Sequence, residues 1–211
     1  MSRTVESSWK LRQEIAGELG SRLPKVLKRA KEHESGALKQ LAELRRGVGK
    51  GFGGEAAASR AFTQLVSLPP DASPGAIGSG GPLDRIVDDA FLVASLVSLT
   101  RVGVRRPEKG RPSSFGSDLC WLRRRPEKEA AAERLFNLIA GADRAGLDYH
   151  LRRAFALLAS EELQVDAAAL VRDLGSWDAE DERVKKQWAY HFWVGVADED
   201  ELVNADEEEQ K

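Results

Sequence analysis

Apolar side chains in this chain recur every three or four residues, and nowhere do they alternate with polar ones over the length of a strand. The clearest stripe consists of Trp9, Ile15, Leu19, Leu23 and Leu27. Because such spacing places side chains on one face of a helix, it predicts amphipathic helices that bury that face. We therefore predict an all-α fold, a helical bundle without strands.

Stretches rich in proline and glycine divide the predicted helices. The longest, residues 69–82, is predicted to be a linker because its composition breaks any helix. We expect two lobes, an N-terminal helical lobe over residues 1–82 and a C-terminal helical bundle over residues 83–196. The acidic tail over residues 197–211 is expected to be disordered.

The C-terminal half carries the most regular helical patterns. Pro126 is a favourable first residue for a helix, and Leu138 falls on the apolar face of that helix. Asp166 and Asp178 are predicted N-caps of the last two helices. In the last one, the apolar side chains recur every four residues and are predicted to be core: Val184, Trp188 and Phe192.

Composition restricts the class of protein. With 211 residues, of which 42% are hydrophobic, the chain is long enough to bury a core. The longest apolar run, residues 90–99, is far below the roughly 20 residues of a membrane span. Cys120 is the only cysteine, so no disulfide can form within the chain. Residues 1–10 contain no apolar leader, and we expect a cytoplasmic protein without a membrane partner.

Charge is distributed unevenly along the chain. Residues 101–128 contain nine lysines and arginines against three acidic residues, whereas residues 197–211 contain eight acidic residues and one lysine. The net charge of −2 therefore combines a basic body with an acidic tail. This pattern is typical of proteins that bind polyanions. The alternative is a solvated surface followed by a solubilising tail.

A glycine-rich segment over residues 49–54 fits the spacing G-x-G-x-x-G. A dinucleotide site would need a strand before this segment and a sheet beneath it, and neither is predicted. The sequence therefore predicts no nucleotide cofactor. Glycine backbone N–H groups can still approach a phosphate, and Arg45, Arg46 and Lys50 supply positive charge beside them. The alternative is a helix C-cap and hinge with exposed arginines.

No catalytic or metal-binding pattern is evident in the sequence. The three histidines, His33, His150 and His191, lack the spacing of metal ligands. Asp88 and Asp89 are adjacent, so a helix turns their side chains about 100° apart, which is unsuited to paired acid–base chemistry. We expect these carboxylates to face solvent or to pair with an arginine, and we predict no enzyme activity and no cofactor.

Arginines are the best candidates for a binding site. Arg111 lies in a basic loop predicted over residues 101–117, Arg123, Arg124 and Arg125 lie just before the helix predicted from Pro126, and Arg152 and Arg153 lie in the middle of the next predicted helix. A guanidinium group binds phosphate through two hydrogen bonds and stays charged. Several on one surface would hold a nucleic-acid backbone without reading its sequence. The alternative for each is an ordinary surface ion pair.

Five fragments occur in an order and spacing that point to one family. They are AELRRGVGKG at 42–51, ERLFNLI at 133–139, HLRRAFALL at 150–158, VDAAALVRDLGSW at 165–177 and QWAYHFW at 187–193. Together they resemble the CasB small-subunit family of Cascade, the type I-E CRISPR surveillance complex. The resemblance covers most of the predicted helical body.

This resemblance implies a two-lobed, all-α, non-catalytic subunit that works as a homodimer within a ribonucleoprotein. The expected partners are guide RNA, target DNA including the displaced strand, and the backbone and large subunits of the complex. By the resemblance, Arg45–Arg46 and Arg152–Arg153 match basic pairs of the family. The match is looser for Arg111 and for the arginines at 123–125. The alternatives are a structural adaptor that makes only protein contacts and a helical enzyme of another kind.

Overall fold

The computed structural model describes residues 3–68, 82–106 and 113–195, with side chains described from residue 8 in the first range and residue 83 in the second. The predicted linker, except for Pro82, lies outside these residues, as do Arg111 and the acidic tail.

Within these ranges the chain forms nine α-helices, which confirms the predicted all-α bundle. They are α1 (Arg3–Lys31), α2 (Ser35–Leu44), α3 (Ala56–Thr63), α4 (Pro82–Thr100), α5 (Phe115–Arg123), α6 (Glu129–Ala140), α7 (Arg144–Ser160), α8 (Ala167–Leu174) and α9 (Arg183–Trp193). A single 3-10 turn, Arg45–Gly47, extends α2. Among the described helices, none is both long and apolar enough to cross a membrane.

Two very short strands depart from the prediction of a strand-free fold. Gly103–Val104 (β1) and Gln164–Val165 (β2) pair in parallel, with Val104 opposite Val165. The N–H of Arg105 donates to the carbonyl oxygen of Val165 at 3.0 Å. Two residues are too few to produce a recognisable alternation, so this pairing left no signal in the sequence.

Helix starts were predicted with mixed success. The Asp166 carboxylate accepts a hydrogen bond from the N–H of Ala169 at 2.8 Å, which confirms it as the N-cap of α8. The cap predicted at Asp178 is wrong, because α9 begins at Arg183, after Glu182 with a φ of 50°. The helix predicted from Pro126 begins three residues later, at Glu129.

One group of packed helices comprises α1, α2, α3, α4 and α8. Its aromatic centre is formed by Phe52, Phe62 and Phe91, whose rings meet edge to face with centroids 5.5 to 5.7 Å apart. The helix α1 runs through Pro24 without ending, and its buried stripe begins at Ile15. This group carries the glycine-rich loop on its surface.

A second group comprises α5, α6, α7 and α9. The rings of Phe136 and Phe192 stack with centroids 4.2 Å apart, and Trp188 packs against Phe115 at 5.2 Å. Val184, Trp188 and Phe192 are buried, which confirms their predicted place in the core. The two groups meet where α4 packs on α7. The domain boundary at residues 82–83 stays a prediction.

Two apolar residues lie outside the core that the sequence assigned to them. Trp9 is 62% exposed, although it belongs to the predicted stripe of α1. Leu138 is 40% exposed on α6. Periodicity gives the direction in which a side chain points, whereas the neighbouring helices decide whether anything covers it. Both residues line surface grooves.

A substitution at Gly116 tests the close packing of α5 on α9. A Cβ at this position would overlap the backbone of Trp188, with 2.6 Å to its Cα, so one helix would have to move. We expect Gly116→Ala to lower the free energy of unfolding by about 1–3 kcal/mol.

The matched control is Gly17→Ala in the middle of α1, where a Cβ meets nothing within 4 Å. Removing an exposed helical glycine should raise stability by about 0.5–1 kcal/mol. Urea unfolding of both variants measures the difference. Equal effects would contradict the described contact between α5 and α9.

Candidate functional site

The fold separates its arginines into those that hold the structure together and those that face solvent. Asp89, which is 3% exposed on α4, accepts hydrogen bonds from Arg12 Nη1 at 2.6 Å and from Arg144 Nη2. Arg12 also donates to the carbonyl oxygen of Val171 at 2.9 Å. These contacts join α1, α4, α7 and α8, and they confirm the expectation that this carboxylate pairs with an arginine.

A second buried network uses Arg105. Its Nε and Nη2 donate to Asp118 Oδ1 at 3.2 and 2.8 Å, and the other oxygen of Asp118 accepts from the N–H of Asp166 at 3.1 Å. Ser113 Oγ donates to Asp166 Oδ2 at 2.6 Å. Burial raises the pKa of Asp118 to about 7 in spite of the nearby guanidinium. Arg105 therefore belongs to the fold and is not part of a binding surface.

Arg45 and Arg46 occupy the 3-10 turn after α2, and both are exposed. Among the described residues, neither forms an ion pair or a side-chain hydrogen bond. The turn is fixed beneath them, because Gly47 lies buried against the ring of Phe91. The two guanidinium groups therefore project from a turn that is packed on the core, and they are available to a ligand.

The glycine-rich loop offers fewer free backbone N–H groups to a phosphate than the sequence suggested. Gly49 and Gly51 adopt positive φ angles, as a tight loop requires. However, the N–H of Phe52 donates to Asp88 Oδ1 at 2.8 Å and that of Gly53 to Ser59 Oγ at 3.0 Å. The N–H groups of residues 50 and 54 bond to carbonyl oxygens of residues 47 and 51. These four donors are already used within the protein.

Lys50 was predicted beside this loop as a phosphate ligand. Its Nζ lies 3.1 Å from Glu55 Oε2, and both side chains are partly exposed. A surface ion pair of this kind contributes at most about 1 kcal/mol, so a phosphate can displace the carboxylate. Lys50 stays a predicted ligand, although a weaker one than the unpaired arginines.

The three arginines at 123–125 lie where α5 ends, beside the end of α9. Arg123 donates to the carbonyl oxygen of Trp193 at 3.2 Å and lies over the rings of Phe192 and Trp193, 5.4 Å from each centroid. Arg124 lies over the ring of Trp121 at 4.7 Å. Arg125 is exposed and has no ion-pair partner in the described part of the chain.

Arg152 and Arg153 project from the outer face of α7, as the sequence predicted. Neither forms an ion pair with any described residue. Arg153 lies 6.0 Å from the ring centroid of Tyr149 and lines a groove of about 510 Å³ between α6 and α7. Arg134 lines the same groove. We did not predict Arg134, because a lone arginine on a helix carries no sequence signal.

The structure brings some predicted residues together and leaves others apart. The arginines at 123–125 lie at the end of α5, and those at 152–153 lie on α7. Both of these helices pack on α6. Arg45 and Arg46 follow α2, which packs on α1, α3 and α4. The predicted arginines thus lie on both groups of helices, Arg45 and Arg46 on the first and those at 123–125 and 152–153 on the second. The predicted contribution of Arg111 lies outside the described residues.

One serine–histidine pair that could perform acid–base chemistry lies inside the fold. Ser114 Oγ lies 2.7 Å from His191 Nδ1, a distance that a serine–histidine pair would show. However, Ser114 is fully buried as the N-cap of α5, and burial lowers the pKa of His191. A substrate could not reach this hydroxyl group. Within the described residues, no group of three His, Cys, Asp or Glu side chains could hold a metal ion.

Comparison with known proteins identifies the family of this chain. The family model of the CRISPR-associated protein Cse2 matches residues 40–193. The chain belongs to the Cse2 family. The matched range contains all five fragments that pointed to the CasB family, and the resemblance is thereby confirmed. No curated protein sequence matches the chain.

Solved structures similar to this Cse2-family chain show the same fold. One is TTHB189, a Cse2-family protein from Thermus thermophilus, with 24% identity, a TM-score of 0.58 and coverage of 83% of this chain and 97% of that one. CasB from M. ruber has 22% identity, a TM-score of 0.58 and coverage of 86% and 98%. A chain of a CRISPR RNA-guided surveillance complex has 22% identity, a TM-score of 0.61 and coverage of 92% and 99%.

Asp89→Asn tests the role of the buried arginine pairs in the Cse2-family fold. Removing this charge leaves the partly buried guanidinium group of Arg12 without a carboxylate and Arg144 with only its surface partner Asp148, and we expect a loss of about 3–5 kcal/mol in unfolding free energy. The control Glu34→Gln breaks the exposed pair with Arg29 and should cost at most about 1 kcal/mol. Denaturant unfolding compares the two, and a small effect of Asp89→Asn would show that the pairing is dispensable.

Asp173 should make the free energy of unfolding depend on pH. Burial raises its pKa from 3.8 to about 6, although Trp188 Nε1 donates to its Oδ2 at 2.6 Å. The folded state therefore binds this proton more tightly than the unfolded state, and stability rises as pH falls through about 6 towards 3.8. Relative to Asp173→Asn, the parent should gain roughly 1–2 kcal/mol between about pH 8 and pH 5. Parallel pH dependences would contradict the burial of this carboxylate.

Proposed function

We propose that this Cse2-family chain is a non-catalytic small subunit of a type I-E CRISPR interference complex. In this role it binds the backbones of the guide RNA and the target DNA, including the displaced strand, through its unpaired arginines. It contacts the backbone and large subunits of the complex and is present there as a homodimer in the cytoplasm. Family membership supports the class of complex, and a similar chain is part of a CRISPR RNA-guided surveillance complex.

One observation carries the nucleic-acid part of this proposal. Arg45, Arg46, Arg125 and Arg152 are exposed, and each lacks an ion-pair partner among the described residues. By contrast, the arginines that the fold needs are bound to buried carboxylates, as Arg144 is to Asp89. An unpaired guanidinium group binds phosphate without first losing a protein partner. The free arginines are therefore the groups best suited to a polyanion.

The physics of target recognition suits such a surface. Exchange of a DNA duplex for an RNA–DNA hybrid is nearly balanced in free energy, so protein contacts with the backbone can decide its direction. Because the guide sequence changes from one target to the next, those contacts must not read bases. Arginine contacts with phosphate meet both conditions, and they stabilise the opened R-loop without sequence preference.

A second candidate function is a structural adaptor that uses the same surface for protein contacts. Exposed aromatic rings accompany several of the arginines, including Trp121 beside Arg124 and Trp193 beside Arg123. Tryptophan and arginine are enriched where proteins meet, so these rings favour a subunit contact. In that case the subunit would complete the assembly without changing the affinity of the complex for DNA.

Charge removal distinguishes the two functions. We expect Arg45→Gln/Arg46→Gln and Arg152→Gln/Arg153→Gln each to weaken binding of single-stranded DNA and RNA. Each pair should also reduce the slope of log affinity against log salt by roughly 1.4, because two phosphate contacts with a single strand are lost. Fluorescence anisotropy over a series of salt concentrations measures both quantities. Target binding by the full assembly, with and without this subunit, tests the role in the complex.

The matched control also removes two positive charges that are adjacent in sequence, but at a different place on the surface. Lys28 and Arg29 are consecutive on α1, and each is paired with its own carboxylate, Glu32 or Glu34. Lys28→Gln/Arg29→Gln should leave the salt slope unchanged. If all three variants bind as the parent does at low salt, the arginine surface is not the nucleic-acid interface. If all three lose the same affinity, only net charge matters.

A further inference from the structure

A groove beside the start of α4 contains none of the residues that the sequence singled out as a site. It lies between α1, the start of α4, the end of α8 and the start of α9, and has a volume of about 640 Å³. A cavity of about 570 Å³ that reaches the start of α7 shares Arg12 and Arg85 with it. Each has the size that holds a small organic ligand, and the shared residues make the two continuous.

Arginines dominate the charge of this groove. Five line it: Arg12, Arg85, Arg144, Arg172 and Arg183. Arg85 is exposed, and neither Arg85 nor Arg172 forms an ion pair or a side-chain hydrogen bond with any described residue. Arg183 donates through its side chain to the hydroxyl group of Ser176, at 2.8 Å, within this groove. Three guanidinium groups are thus able to bind an anion there.

The carboxylates of the groove offset these charges only in part. Asp89 is already shared by Arg12 and Arg144, whereas Asp173, which accepts from the indole N–H of Trp188, also attracts Arg172. Asp178 lies exposed at the rim. In addition, α4, α7 and α9 all start at this groove and α8 ends there, so the positive ends of three helix dipoles lie close to it against the negative end of one. The local field favours a negatively charged ligand.

A large aromatic ring stands at the edge of this basic groove. Trp9 lines it while 62% exposed, and no described ring or cation lies against the indole. An indole exposed to this extent on a helix has no part in the core. An aromatic platform beside free arginines is the combination with which proteins hold unpaired nucleotides, because the base stacks while the phosphates are bound.

We propose that this groove is a binding site for single-stranded nucleic acid, in which Trp9 stacks on a base and Arg85, Arg172 and Arg183 bind the flanking phosphates. The proposal rests on the proposed function and adds to it a second contact that is specific for an unpaired strand. A duplex would offer phosphates to the arginines but no free base face to Trp9. An acidic peptide would offer charge but no ring to stack on the indole.

The test uses the full chain and three labelled probes: an oligothymidine, a duplex of equal length and a polyglutamate peptide. Trp9→Ala should weaken binding of the single strand at least about fivefold and leave duplex binding unchanged. Trp9→Phe should restore most of the loss. Arg85→Gln/Arg172→Gln should reduce the salt slope for the single strand by roughly 1.4, whereas Lys28→Gln/Arg29→Gln should not.

A direct readout locates the contact. An oligonucleotide that carries 5-iodouracil should crosslink to Trp9 on irradiation, and peptide mapping should find that crosslink in the parent and not in Arg85→Gln/Arg172→Gln. Thermal unfolding of the Trp9 variants should match the parent, because this side chain is exposed.

Every other outcome contradicts the proposed binding site. Unchanged single-strand binding by Trp9→Ala and Arg85→Gln/Arg172→Gln, with the parent still binding, refutes the groove and leaves the proposed function in place. Equal losses for single strand and duplex refute the stacking role. Losses confined to the peptide assign the groove to an acidic protein partner. A parent that binds neither nucleic acid refutes the proposed function itself.

Discussion

Asp89 occupies the place where the two groups of helices meet, and its two arginine partners come from distant parts of the chain. Arg12 brings α1 to this carboxylate and Arg144 brings the start of α7, while Arg12 also reaches the carbonyl oxygen of Val171 in α8. A buried carboxylate needs such partners because desolvation strongly disfavours an unpaired charge. The relative positions of α1, α4, α7 and α8, and so of the surfaces they carry, depend on this contact.

The same residue type therefore has two different uses in this molecule. Arg105 and Arg144, which are partly buried, have their charges matched by Asp118 and Asp89 and serve packing. Where an arginine is exposed, as Arg46 and Arg152 are, water solvates the charge at little cost and a ligand can replace that water. Counting arginines along the chain cannot separate these uses, since the difference lies in the surroundings of each side chain.

Much of the fold was predictable because it depends on local patterns. The four-residue spacing of Val184, Trp188 and Phe192 located the buried face of α9, and Asp166 was recognisable as a helix cap. The predictions failed where neighbouring elements decide the outcome. Trp9 fits an apolar stripe but stands exposed at the edge of a groove, and β1 pairs with β2 over only two residues from distant parts of the chain. The helix starts predicted at Pro126 and Asp178 were also wrong, since α6 begins at Glu129 and α9 at Arg183.

By itself, the sequence determined that the chain is helical, which faces of its helices are apolar, and which family it resembles, because these follow from spacing and from short fragments in order. Only the tertiary structure decided which arginines are free, that Arg134 joins Arg153 in one groove, and that Trp9 stands exposed beside Arg85. The reason is physical: a side chain's partners and its access to water are set by residues that are near in space and far apart along the chain, and no local pattern records them.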